Sequence, residues 1–177
     1  PYRYVFRGNR YPDALNDLLR AMQYVKAHSA ELGVDASRVA AMGFSAGGHL
    51  VMSAAELLPR EQRPWFVVPV YPVVTMTEAC VDRRSRRALL GDSRLRSRQL
   101  RDLLSLERHV PADCPPVFLV NCKDDPVVDC RNSELLDSAL TRQQVPHRYI
   151  QYQTGGHGFG ASGHKGTAEC RQWKEEF

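Results

Sequence analysis

No apolar run in this 177-residue chain approaches the length of a membrane span. The longest, such as Trp65 to Val70 and Val117 to Val120, are short and sit between Pro and Gly punctuation, so no transmembrane helix is expected. C-x-x-C pairs are also absent. Five cysteines, at positions 80, 114, 122, 130 and 170, make an odd count, which argues against a disulfide framework and against a zinc site. Free, mostly buried thiols are expected, with one or two bridges in a secreted protein left open. Neither an internal repeat nor a low-complexity tract occurs, and the chain shows no initiator Met, no basic leader and no apolar leader core. Localisation therefore stays open between cytoplasm and secretion, and oligomeric state is not specified.

At 43% hydrophobic and 25% charged, the composition is that of one globular unit spanning residues 1–177. The net charge of +4 is modest, but eight arginines crowd between Arg83 and Arg101. No aromatic residue interleaves with them to stack a base, so a solvated face is expected rather than a nucleic-acid partner, with at most a local bias toward anionic substrate.

Apolar residues at helical spacing (Ala14, Leu15, Leu18, Leu19, Met22, Val25) predict an amphipathic helix from Pro12 to Leu32, ending near Gly33, with Pro12 in its first turn. Asp35-Ala-Ser-Arg reads as a turn. Val39 to Phe44 has strand length, and Ala46 to Leu58 has helix formers, so residue 45 joins a strand directly to a helix. Further strand-like runs are Trp65 to Tyr71, Val117 to Cys122 and Arg148 to Tyr152, with helical patterns at Ser133 to Gln144 and after Thr167. Runs apolar on both faces and separated by helices predict an α/β fold with a parallel sheet. Residues at about 75–114 break this rhythm and read as an inserted, cap-like segment beside the site.

Gly43-Phe-Ser45-Ala-Gly47 matches G-x-S-x-G, in which small residues let a serine sit in a strained turn between strand and helix. A bulky residue at 43 or 47 is expected to clash with neighbouring backbone. The turn puts the Ser45 hydroxyl at a helix N-terminus, where the N–H of Ala46 can face an oxyanion. A serine hydroxyl needs a base. Thr154-Gly-Gly-His157-Gly-Phe-Gly supplies an imidazole on a glycine-rich loop after a strand. The other histidines, His28, His49, His109, His147 and His164, read as ordinary surface or core residues.

A carboxylate must hold the imidazole in its working tautomer, and Asp124-Asp125-Pro-Val-Val follows the preceding strand. Asp125 is preferred because Pro126 restricts it to extended backbone at the loop tip. Asp124 is the alternative, with loop hydrogen bonding as its other role, and Asp129 is expected to cap the helix beginning near Asn132. A Ser-His-Asp arrangement acting through an acyl-enzyme calls for no metal and no organic cofactor.

The order Ser, Asp, His after successive strands, together with Tyr11-Pro-Asp-Ala-Leu, Val34-Asp-Ala-Ser-Arg-Val, Tyr71-Pro-Val-Val, Ser85-Arg-Arg-Ala-Leu-Leu-Gly and Pro115-Pro-Val-Phe-Leu-Val, resembles the α/β-hydrolase esterase/lipase family. The block at Ser85 looks most like the bacterial acetylxylan and carbohydrate esterase branch, related to hormone-sensitive-lipase-like carboxylesterases. The resemblance implies an α/β-hydrolase fold and a serine carboxylic-ester hydrolase acting on small-molecule or carbohydrate esters. Members carry an H-G-G-G-type oxyanion loop and several strands before the first helix. Pro1-Tyr-Arg-Tyr resembles the segment that follows them, so the expectation is an N-terminally truncated chain with its last helix cut at Phe177. With Ala46 as its one oxyanion donor, such a chain is expected to hydrolyse esters poorly on its own. Two other readings compete: a prolyl-oligopeptidase-type serine peptidase, which shares the elbow and the late histidine, and a non-catalytic α/β-hydrolase-like binding protein, which the three retained residues disfavour.

Overall fold

The computed structural model describes residue 3 and residues 8–177. The resemblance seen in Pro1-Tyr-Arg-Tyr falls, apart from Arg3, outside them. Four parallel strands, β1 (Ala41–Phe44), β2 (Val67–Val70), β3 (Val117–Cys122) and β4 (His147–Tyr152), pair in sequence order. Every residue of β2 and β3 is buried, as a parallel sheet covered on both faces requires. All four carboxyl ends therefore lie on one edge, where ligands bind in open α/β sheets.

Two apolar layers cover the sheet. On one, Val51, Met52 and Ala55 of α3 (Ala46–Leu57) and Leu136, Ala139 and Leu140 of α6 (Arg131–Arg142) pack with Ala41, Val67, Val117 and Leu119. On the other, Val68, Val70, Phe118 and Val120 meet Phe159, Cys170 of α7 (Ala168–Arg171) and Trp173 of α8 (Trp173–Glu176). Leu15 and Met22 of α1 (Asp13–Ala27) back onto Ala54 and Leu58.

The first expected helix is two. α1 stops at Ala27 and α2 covers Ser29–Leu32. The run breaks at His28, whose backbone leaves the helical region at φ −106° and ψ 21° while its ring Nδ1 donates to the Tyr24 carbonyl. Gly33 does end the second piece, in a left-handed cap at φ 66°. Pro12 stands at the N-cap, one residue before the first helical position. The strand expected from Val39 starts at Ala41. β2 excludes Trp65, which is 52% exposed, and stops before Tyr71, whose φ of 37° cannot continue a strand.

Residues 75–114 hold α4 (Arg83–Leu90), α5 (Arg98–Leu103) and short 3₁₀ turns. Leu90 and Leu104 from this segment pack with Met76 and with Val128, on the loop after β3. Asn132 anchors its start: the Asn132 Oδ1 accepts the N–H groups of Val74 and Thr75, and the Asn132 Nδ2 donates to the Cys80 carbonyl. No helix of the described residues is long and apolar enough to cross a membrane.

Candidate active site

Each element of the site begins where a strand ends. After β1, Ser45 takes φ 56° and ψ −117°, a conformation costly for any residue with a Cβ. Its backbone is held on both sides: the N–H donates to the Val70 carbonyl, and its own carbonyl accepts from Gly48, His49 and Val73. The turn is tight because Gly43 lies against the first turn of α3. A Cβ on Gly43 would overlap the carbonyl of Gly47 and approach the Gly48 nitrogen to 2.9 Å. The expected clash at Gly47 is not found for a Cβ, which meets nothing within 4 Å among the described residues outside its own helix. The second crowded position is Gly48, whose Cβ would come 2.7 Å from that of Pro72.

After β4, Gly155 and Gly156 have φ of 148° and 64°, and the loop they open carries His157 back over the sheet edge. After β3, Asp125 meets it. The His157 Nδ1–H donates to Asp125 Oδ2 at 2.6 Å, and the Ser45 hydroxyl donates to His157 Nε2 at 2.9 Å. The carboxylate accepts only, so it fixes the proton on Nδ1 and leaves the Nε2 lone pair toward the serine. Asp125 Oδ1 accepts the N–H groups of Val127 and Val128. Its side chain is 1% exposed and that of His157 15%, so the relay is shielded from water.

Asp124 faces elsewhere and accepts the N–H groups of Gly156 at 2.8 Å and Gly155 at 3.2 Å, clamping the His157 loop. Asp129 accepts the Arg131 N–H at the head of α6, one residue earlier than the helix start read from the sequence. Ala46 is exposed, and its N–H is one of the first-turn amides of α3 that no helical carbonyl accepts.

Sequence reasoning missed Tyr71. Its ring packs on the His157 ring with centroids 4.6 Å apart, and its hydroxyl accepts the Gly160 N–H, so it braces the histidine loop from β2. Burial raises its hydroxyl above the ordinary tyrosine range, keeping it protonated. The signal available was its place at the end of an apolar run, directly before Pro72.

The remaining histidines lie apart from this relay. His49 is buried in α3, with its ring against the Leu104 carbonyl and Ser53, and burial pushes it down to about 4. His109 sits against Asp102 and His147 against Asp137, while His164 is on an exposed loop. Among the described residues, no group of three or more His, Cys, Asp and Glu side chains is placed to hold a metal ion.

Two hollows border the elbow. One, of about 190 Å³, opens beside Ala46 and is lined by Tyr11, Leu15, His49, Leu50 and Leu89. A larger groove of about 580 Å³ follows β1 past Met42, Gly43 and Gly47. Ser45, Asp125 and His157 line neither hollow; the neighbours of Ser45 do, Ala46 in the smaller and Phe44 in the larger.

The chain is similar to endo-1,4-beta-xylanase B of Butyrivibrio fibrisolvens, with 31% identity over 81% of this chain and 24% of that protein. It is also similar to the acetylxylan esterase of Xylanibacter ruminicola, with 28% identity over 82% of this chain and 31% of that protein. Among solved structures, the acetyl ester-xyloside bifunctional hydrolase of Caldicellulosiruptor lactoaceticus superposes with a TM-score of 0.87 at 30% identity, over 99% of this chain and 66% of that one. The chain thus spans about a quarter to a third of the length of these two curated relatives. With residues 8–161 matching the family described as the alpha/beta hydrolase fold, and a parallel sheet carrying a serine elbow, the chain belongs to that family.

Proposed function

We propose that this chain carries the catalytic residues of a serine carboxylic-ester hydrolase of the acetyl or carbohydrate esterase kind, with Ser45 as nucleophile, His157 as base and Asp125 as the group that orients it. The observation that carries the reading is the continuous relay of 2.6 Å and 2.9 Å from carboxylate through imidazole to hydroxyl. His157 takes the Ser45 proton as the oxygen attacks an ester carbonyl, and the imidazolium then protonates the departing alcohol. His157 next removes a proton from water, which cleaves the acyl-enzyme and frees Ser45. Asp125 stays ionised throughout and stabilises the imidazolium. The N–H of Ala46 faces the oxyanion as one donor of the hole.

Two further observations support an ester of short acyl chain. The hollow beside Ala46 is small and mostly apolar, a fit for an acyl group of a few carbons. Two of the similar proteins described above are named for acetyl-ester cleavage.

Ser45→Ala tests the assignment. Hydrolysis of p-nitrophenyl acetate should fall by roughly 10⁴- to 10⁶-fold while the circular dichroism spectrum is unchanged. A fluorophosphonate probe should label the unsubstituted protein at Ser45 and leave the variant unlabelled. An unlabelled but folded parent protein would favour a binding role instead, and cleavage of aminoacyl amides faster than esters would favour a peptidase.

A further inference from the structure

Beneath the His157 loop lie two thiols that the proposed chemistry does not use. Cys122 is the last residue of β3, just before Asp124 and Asp125; Cys170 is in α7, beyond the histidine loop. Both are completely buried and belong to the same core layer. Gly155, which opens the histidine loop, fits between them: a Cβ there would stand 2.6 Å from the Cys122 Sγ and 2.7 Å from the Cys170 Sγ. The two sulfurs are thus no further apart than about 5.3 Å, the sum of those distances. The Cys170 thiol also lies 3.4 Å from the Thr167 carbonyl.

We propose that Cys122 and Cys170 close into an intramolecular disulfide when the chain folds in an oxidising medium, tying the end of β3 to α7. The ring so formed contains both the Asp125 loop and the His157 loop. Closure belongs to folding because both sulfurs are sealed in the finished core. Burial and the neighbouring sulfur hold the Cys122 thiol well above the ordinary range, so the folded, reduced protein offers almost no thiolate to an oxidant. In the folding chain, one cysteine thiolate attacks oxidised glutathione, forming a mixed disulfide and expelling one glutathione thiolate. The second cysteine thiolate attacks the protein-bound sulfur of that bond and expels the other glutathione. The two thiol protons end on two glutathiones, and two electrons pass from the cysteine pair to the glutathione disulfide.

Cys114 lies in the opposite core layer, and Cys130 contacts Glu134 at the head of α6, so neither competes for this contact.

The test is to fold the full protein from denaturant in a glutathione redox buffer and, in parallel, in dithiothreitol. Thiol titration of the denatured products should find all five cysteines free in dithiothreitol and two fewer after oxidative folding. Proteolytic peptide mapping should find Cys122 joined to Cys170. The oxidised form should melt roughly 5–15 °C above the reduced form. Cys122→Ser and Cys170→Ser should each melt at the same temperature in both buffers; comparing each variant with itself cancels any packing cost. Oxidant added after folding in dithiothreitol should leave Cys122 and Cys170 unlinked over the same interval. Five free thiols after oxidative folding, a link joining any other pair, or equal melting temperatures would overturn the proposal. Should either variant fail to fold, the peptide map of the unsubstituted protein decides alone.

Discussion

A methyl group added at three glycines of the elbow separates what the turn requires from what its motif merely contains. At Gly43 the new Cβ would overlap the carbonyl of Gly47 and press on the Gly48 nitrogen, both backbone atoms in the first turn of α3 that cannot swing aside. The strand and helix must then part by on the order of 1 Å. Overpacking of this kind costs about 1–3 kcal/mol, and because the obstacle is backbone the upper end applies. A 1 Å error at the nucleophile costs about 10²-fold in turnover, so Gly43→Ala should lose both stability and at least that much esterase activity. Gly48→Ala meets the Pro72 Cβ at 2.7 Å and should show a smaller loss of the same sign. Gly47→Ala has open space and lies inside a helix, where alanine is favoured over glycine by up to about 1 kcal/mol. It should be neutral or slightly stabilising. Urea denaturation and p-nitrophenyl acetate turnover on the three variants decide the matter: a Gly43→Ala protein as stable and active as its parent, or a Gly47→Ala protein worse than Gly43→Ala, would refute the steric account.

Two other perturbations reach beyond the elbow. Glu56 is buried with both carboxyl oxygens unpartnered among the described residues, and burial, reinforced by the nearby Glu107, raises it well above its ordinary 4.5. The folded state thus keeps the neutral acid while the unfolded chain ionises near 4.5, so stability should fall as pH rises above that value, by about 1.4 kcal/mol per pH unit, until Glu56 ionises in the folded state. Glu56→Gln should remove one proton's worth of that slope in urea titrations between pH 5 and pH 8; an identical slope in the variant would refute the assignment. Asp124→Ala removes the acceptor for the Gly155 and Gly156 N–H groups, and on an exposed loop this should cost only about 1 kcal/mol of stability. Turnover should nevertheless fall about 10- to 100-fold through a mispositioned His157, with slower fluorophosphonate labelling of Ser45. Unchanged labelling would show that Asp124 does not hold the loop in place.

The parts of the fold that periodicity reveals are those where one physical demand dominates. β3 spans the run read for it, Val117–Cys122, because a strand buried on both faces is nearly continuously apolar, with Asn121 its one polar residue, and leaves little ambiguity in length. Edges fared worse where a local interaction overrode the pattern. The run from Pro12 to Leu32 keeps helical spacing past Ala27, but the chain turns at His28, where φ −106° and ψ 21° leave the helix and the ring Nδ1 binds the Tyr24 carbonyl. Tyr71 continues an apolar run and still leaves the strand, because its left-handed backbone brings its ring under His157. A long-range contact of that kind has no counterpart in the spacing of neighbouring residues.

The candidate site is legible for a related reason: each of its residues is marked by the backbone its loop must adopt. Glycines on both sides of Ser45 and His157 announce turns before any partner is known, whereas the choice between Asp124 and Asp125 depends on contacts made with a loop about thirty residues away. Pro126 favours Asp125 by restricting its backbone, and that restriction goes with the local bonds to Val127 and Val128 that leave Oδ2 for the imidazole. Asp124 has no such local brace and instead takes the two glycine N–H groups that open the histidine loop. In the proposed reaction the adjacent acids divide the positioning of His157, Asp125 through the imidazole and Asp124 through the loop that carries it. Because both bind the same loop from the same strand end, a shift of that strand by one residue would disturb both at once, which is reason enough for the site to rest on β3, a strand buried along its whole length.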